Sequence, residues 1–159
     1  MSVTYGAAGT TQARTLNALR WLREDSGLTL MSHLTCIGAT SDSIGAIATE
    51  FEALGIDNIL ALRGDPPKAL PGFDPSKGDV LFARDLVYFL VKTGRFSLAV
   101  AVYPEGHPQS PGINIDLEYT KQKIDRGADF AITQMFFDNR YFYRFRDRAA
   151  RAGITIPII

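Results

Sequence analysis

Short runs of aliphatic and β-branched residues alternate along this chain with longer stretches whose apolar positions recur every three or four residues. The short runs predict strands near Ser2–Tyr5, Leu30–Thr35, Asn58–Leu62, Ser97–Tyr103, Phe130–Phe136 and Thr155–Ile159. The longer stretches predict helices near Thr11–Arg23, Ser41–Leu54, Asp79–Lys92, Asp116–Arg126 and Arg140–Arg151. The second helix is the best marked. Thr40 or Ser41 can cap it, Ile44, Ile47, Ala48, Phe51 and Leu54 share one face, and Gly55 closes it. Gly127 and Gly153 stand just past two further helices, in the same capping role. Leu98-Ala99-Val100-Ala101-Val102 is apolar on both faces, as a parallel strand covered by helices must be. Such strand–helix repetition calls for a parallel sheet, either open and doubly wound or closed into a barrel.

Six strands and five helices fall short of an eight-fold barrel, which typically takes about 250 residues. The chain opens on a strand and stops within another, at Ile156-Pro157-Ile158-Ile159. An unfinished strand leaves an unpaired edge, so the expectation is one partial domain over residues 1–159, cut at both ends. The alternative is a compact open sheet with a short final edge strand.

Composition narrows the class. At 159 residues, 46% hydrophobic and 21% charged, the chain can bury the core of one ordinary globular domain. Its 17 basic and 17 acidic residues cancel, so no overall field draws nucleic acid or an anionic membrane. The single Cys36 excludes an internal disulfide. No apolar run approaches the roughly 18 residues of a membrane span. Met1-Ser2-Val3-Thr4-Tyr5-Gly6 has neither the basic start nor the apolar stretch of a signal peptide. A cytoplasmic location is expected.

Polar groups gather where the predicted strands end. Thr4 and Tyr5 end the first, His33 and Thr35 the second, Tyr103, Glu105 and His107 the fourth, and Gln134 the fifth. The third runs into Leu62-Arg63-Gly64-Asp65-Pro66-Pro67, where two prolines halt the strand. Alone, this segment reads as a surface turn. At the carboxyl end of a barrel strand it reads as chemistry: arginine forks onto phosphate, and a carboxylate steers charge in a bound ring. Repetition on five strands favours one shared pocket. There is no G-x-G-x-x-G, Walker loop, C-x-x-C or H-E-x-x-H. Nothing in the spacing of His33, His107 and Asp65 calls for a metal, and no Ser–His–acid arrangement supports acyl transfer.

The chain resembles the catalytic barrel of methylenetetrahydrofolate reductases. The resemblance is carried by Ser2-Val3-Thr4-Tyr5-Gly6-Ala7, His33-Leu34-Thr35-Cys36 and Leu62-Arg63-Gly64-Asp65. It continues through Ala101-Val102-Tyr103-Pro104-Glu105-Gly106-His107-Pro108 and Ala131-Ile132-Thr133-Gln134-Met135-Phe136-Phe137-Asp138. These segments are collinear with the family. The resemblance implies an α/β fold, a (β/α)8 TIM barrel of which about strands 2 to 7 are present, with FAD across its carboxyl-end rim. Positions matching flavin contacts are Thr4, Tyr5, His33, Arg63, Gly64, Asp65, Ala83, Tyr103, His107, Asp116, Tyr119, Gln122 and Lys123. Gln134 matches a folate contact, Asp65 and Thr4 also match substrate contacts, and Thr4 lies near the family's nicotinamide.

The activity implied is reduction of 5,10-methylenetetrahydrofolate to 5-methyltetrahydrofolate with NADH or NADPH, in one-carbon and methionine metabolism. Asp65 would stabilise the folate iminium cation that accepts hydride. The family's general acid is a glutamate preceding the position of Thr4. This chain begins after it, and Glu105 does not match that position. The expectation is therefore an impaired or inactive fragment, unstable and a poor flavin binder, of a protein that forms homo-oligomers at full length. Two other readings are a non-catalytic flavin- or nucleotide-binding barrel and a flavin barrel of the proline-oxidising type.

Overall fold

A computed structural model describes residues 1–4, 9–66 and 72–159, with backbone alone for 9–12. Tyr5 and Pro67 lie outside the described residues. In chain order the elements are β1 (Ser2–Val3), α1 (Gly9–Ser26), β2 (Met31–Thr35), α2 (Ser41–Ala53) and β3 (Asn58–Leu62). A short 3-10 turn, Pro75–Lys77, precedes α3 (Ala83–Val91), β4 (Ser97–Val102), α4 (Ile113–Asp125), β5 (Phe130–Thr133) and α5 (Asn139–Arg151).

All five strands pair in parallel, in the spatial order β1-β2-β3-β4-β5. Strand order equals chain order, with no reversal. A doubly wound sheet reverses its winding at a switch point and so places helices on both faces. Right-handed crossovers without a reversal put every helix on one face and let the other curl inward. The result is a half-barrel, consistent with an incomplete TIM-barrel-like fold.

Register shows which side chains line each face. His33 stands beside Leu60, and Leu60 beside Ala99; one residue on, Leu34 stands beside Ala61 and Ala61 beside Val100. The second row faces the helices. Leu34, Ile59, Ala61, Leu98 and Val100 are buried there with Phe51, Ile44, Leu86 and Leu90 of the helices. The Leu, Ile, Val and Phe side chains among them each contribute about 1.5–3 kcal/mol on burial. The first row is partly open: Met31, His33, Leu62, Ala101 and Ile132 keep intermediate exposure.

The α2 helix forms as its pattern predicts. Thr40 caps it by accepting from the Ser43 amide, and the Ser43 hydroxyl accepts from the Thr40 amide in return. Gly55, Gly127 and Gly153 follow their helices with positive φ.

Some boundaries differ from expectation. The third helix starts at Ala83, not Asp79. The Asp79 carboxylate instead accepts from the Ser41 amide and hydroxyl at 2.6 and 2.9 Å, at the mouth of α2. Asp85 takes over, accepting from the Phe82 amide. The fourth helix begins earlier, at Ile113, and the fifth strand ends earlier, at Thr133. The expected strand Thr155–Ile159 is shorter: it pairs with β5 through the parallel bridge between Ala131 and Ile158, and the Thr133 amide donates to the Ile159 carbonyl. Ile159 donates to the Ala131 carbonyl, and the Ala131 amide donates to Pro157. The preceding rung would need an N–H from residue 157, which proline lacks.

Candidate active site at the carboxyl ends of the strands

Where β3 and β4 end, α3 and α4 flank a cavity of about 400 Å³. Arg63, Ala83 and Tyr103 line it together with His107, Asp116, Tyr119 and Lys123. All seven match implied flavin positions. A second cavity, of about 360 Å³, lies over the open face of the sheet and holds His33 and Gln134. Leu62, Ala101 and Tyr103 line both, so the two form one trough along the rim.

Other predicted residues stand apart. Thr4, Gly64, Asp65 and Gln122 line neither cavity. Thr4 is exposed, and its carbonyl accepts from the Thr15 hydroxyl. Gln122 reaches the first cavity indirectly, by accepting from Arg84 at 2.7 Å. Glu105 is exposed and borders neither cavity. Phe82, Arg84, Gln109 and Ser110 line the first cavity without having been anticipated. Gln109 and Ser110 carry a signal of their own: they follow the predicted site residue His107 in a turn rich in proline and serine.

The first cavity is rich in cations held on neutral oxygens. Arg63 donates to the Gln109 side-chain oxygen at 3.1 Å and to the Gly64 carbonyl at 3.3 Å. Lys123 reaches from α4 to the Ala101 carbonyl of β4. Among the described residues neither forms an ion pair within 4 Å, so both charges remain available to an anion. Lys123 is partly exposed overall, yet desolvation of its amine brings the pKa down from 10.5 to about 8, with Asp116 opposing that fall. Asp116 is itself buried on the first turns of α4.

Tyr103 packs edge-on against His107, ring centroids 4.6 Å apart. Burial raises the Tyr103 pKa, Asp116 and Asp65 raise it further, and Arg63 opposes them. Asp65, though exposed, therefore projects its field into the trough. His107 accepts at Nδ1 from the Gln109 amide, which puts the neutral ring's proton on Nε2. His33 shares a 2.6 Å hydrogen bond with the Ser2 hydroxyl, and burial lowers its pKa. Cys36 is buried with its thiol pushed up to about 12, so it is no nucleophile.

No described helix is long and apolar enough to cross a membrane. The low pKa of Lys123 has a stability consequence. Between pH 8 and 10.5 the unfolded chain holds a lysine proton that the folded chain has shed, so Lys123 adds stability as pH rises, whereas Cys36, whose thiol stays protonated to about 12 in the fold, takes stability away above its ordinary value of 9.0. Chemical denaturation at pH 7.5 and 8.5, below the range where the thiol matters, is expected to show the Lys123 rise, and Lys123→Met to remove it.

Among solved structures, the fold is similar to phosphonopyruvate hydrolase, with a TM-score of 0.61 over 92% of this chain and 58% of that one. It is also similar to oxaloacetate acetylhydrolase, with a TM-score of 0.59 over 99% of this chain and 67% of that one. At 13% and 15% identity these likenesses concern the fold alone. Sequence relatives are much nearer. The 5,10-methylenetetrahydrofolate reductases of Salmonella typhimurium and Escherichia coli are 44% and 43% identical over 159 residues. Methylenetetrahydrofolate reductase 2 of Saccharomyces cerevisiae is 43% identical over 137 residues, 84% of this chain and 23% of its own length. The alignment takes in 100% of this chain but 52% of each bacterial protein, so the chain spans about half the length of those curated relatives. The family model for methylenetetrahydrofolate reductase matches residues 1–159, and the chain belongs to that family.

Proposed function

We propose that the chain provides the flavin- and folate-holding face of an enzyme that reduces 5,10-methylenetetrahydrofolate with NAD(P)H. The observation that carries this reading is the continuous trough, with cations and aromatic rings at one end and His33 and Gln134 at the other. Family membership over the whole chain favours folate over the proline-oxidising alternative. A rice relative 38% identical over 168 residues is named as a probable NADH-using reductase. A nicotinamide donor is proposed here on that basis.

The donor set suits FAD. Arg63 and Lys123 meet a diphosphate. Asp116 accepts from ribityl or ribose hydroxyls. Tyr103, His107 and Tyr119 supply flat apolar surface for rings. Bound there, FAD would supply the two-electron carrier that amino-acid side chains lack. Gln134 can both donate to and accept from a pterin edge. His33, whose neutral form burial favours, adds a polar ring. Asp65 lies where its field reaches the trough, and it stabilises the cation that ring opening creates on the folate.

Flavin affinity tests this reading. The complete gene product, stripped of flavin, should bind FAD with one-to-one stoichiometry by fluorescence titration. Because Lys123 loses its proton near pH 8, affinity should weaken above that pH, approaching about tenfold per unit. Lys123→Met should bind more weakly at pH 7 and show a flat profile. A cavity indifferent to FAD would refute the proposal.

A further inference from the structure

Arg84 matches none of the implied flavin positions, yet it forms part of the cavity wall. It is the second residue of α3 and spans the gap to α4, its Nη1 donating to Gln122 at 2.7 Å. Its guanidinium carbon lies 4.7 Å from the centroid of the Phe82 ring. The nearest carboxylate, Asp85, is 3.7 Å from Nε and already accepts from the Phe82 amide. Arg84 is thus tethered mainly by a neutral amide and an aromatic face.

Phe82 and Tyr119 line the same cavity and remain 44% and 43% exposed, large values for rings in a walled cleft. The end of the cavity between α3 and α4 therefore offers two aromatic faces and one planar cation. Its other end, toward the sheet, is lined by Ala61, Leu62 and Ala101 and opens into the trough that holds Gln134. A flavin with its ring near Gln134 and its phosphates at Arg63 and Lys123 directs whatever lies beyond the phosphates toward the helices. Aromatic and guanidinium planes suit a purine there, since all can stack.

We propose that Arg84 is a specificity-determining residue that grips the adenylate half of the dinucleotide, so that the protein selects FAD over FMN. The inference rests on the flavin reading given above. Its test is to titrate FAD and FMN separately into the flavin-free complete gene product and into Arg84→Ala and Arg84→Lys. Arg84→Ala should raise the Kd for FAD about tenfold and leave that for FMN within about twofold. Retained FMN binding also reports that the variant is folded. Arg84→Lys should recover only part of the loss, because an ammonium cannot stack. Equal weakening of both flavins, unchanged FAD affinity, or full recovery with lysine would overturn the inference while leaving the flavin reading in place. If the unaltered protein binds neither flavin, the reading and the inference fall together.

Discussion

Asp65→Asn is expected to slow methylenetetrahydrofolate reduction by about a hundredfold or more, while NAD(P)H oxidation changes by only a few fold. The residue follows β3 through Gly64, and its carboxylate raises the Tyr103 pKa. A field that reaches a neighbouring phenol also reaches a cation formed in the same trough. Folate reduction requires that cation before hydride can be accepted, so loss of the carboxylate raises its barrier directly. NAD(P)H oxidation also leaves a cation, on the nicotinamide. Removing Asp65, however, eases the negative charge gathering at the flavin ring, and the two effects oppose. Rapid mixing under anaerobic conditions separates the half-reactions. Equal slowing of both would contradict the role assigned to Asp65.

Gly64→Ala, beside the trough at the end of β3, should cause a large loss of stability. Gly64 has φ +82°, a left-handed conformation that costs an L-residue about 1–2 kcal/mol. A methyl group there would also stand 2.9 Å from Thr35 Cβ and 3.1 Å from Ile37 Cγ2. Thr35 and Ile37 belong to the neighbouring strand end, which is tied to this one by the Ile37 amide donating to the Arg63 carbonyl. Strain and clash together are expected to cost about 2–4 kcal/mol and to lower the Tm by about 5–15 °C. Gly112→Ala is the matching control. Its φ of 175° is ordinary extended backbone, and an added methyl meets nothing within 4 Å. Gly112 is the N-cap of α4, where alanine caps less well than glycine, so the variant should lose no more than about 4 °C.

The alternation of apolar runs made the repeating strand–helix order legible, and the cap of α2 could be read residue by residue. The strand ends were legible for a related reason. Polar residues directly after fully apolar runs have few structural duties in a parallel sheet, so Arg63, Tyr103 and His107 stood out. Arg84 did not, because it opens a helix, where an arginine is unremarkable until α4 is placed across from it. Asp79 shows the same limit: the third helix is expected to start there, but the fold uses its carboxylate on Ser41. Long-range partners of this kind leave no local trace. The last segment shows the opposite case. Ile156-Pro157-Ile158-Ile159 has strand composition, and the proline that removes the first rung of its pairing with β5 is visible in the chain itself.

A flavin held in the trough would pass hydride from a nicotinamide to a folate. The most direct measurement follows the visible flavin absorbance of the FAD-loaded complete gene product without oxygen. NADH or NADPH is added first, and methylenetetrahydrofolate afterwards. The account predicts bleaching on the first addition and return of the absorbance on the second, with one equivalent of 5-methyltetrahydrofolate formed per flavin. Absorbance that bleaches but does not return with the folate, or that never bleaches with either nicotinamide, would contradict it.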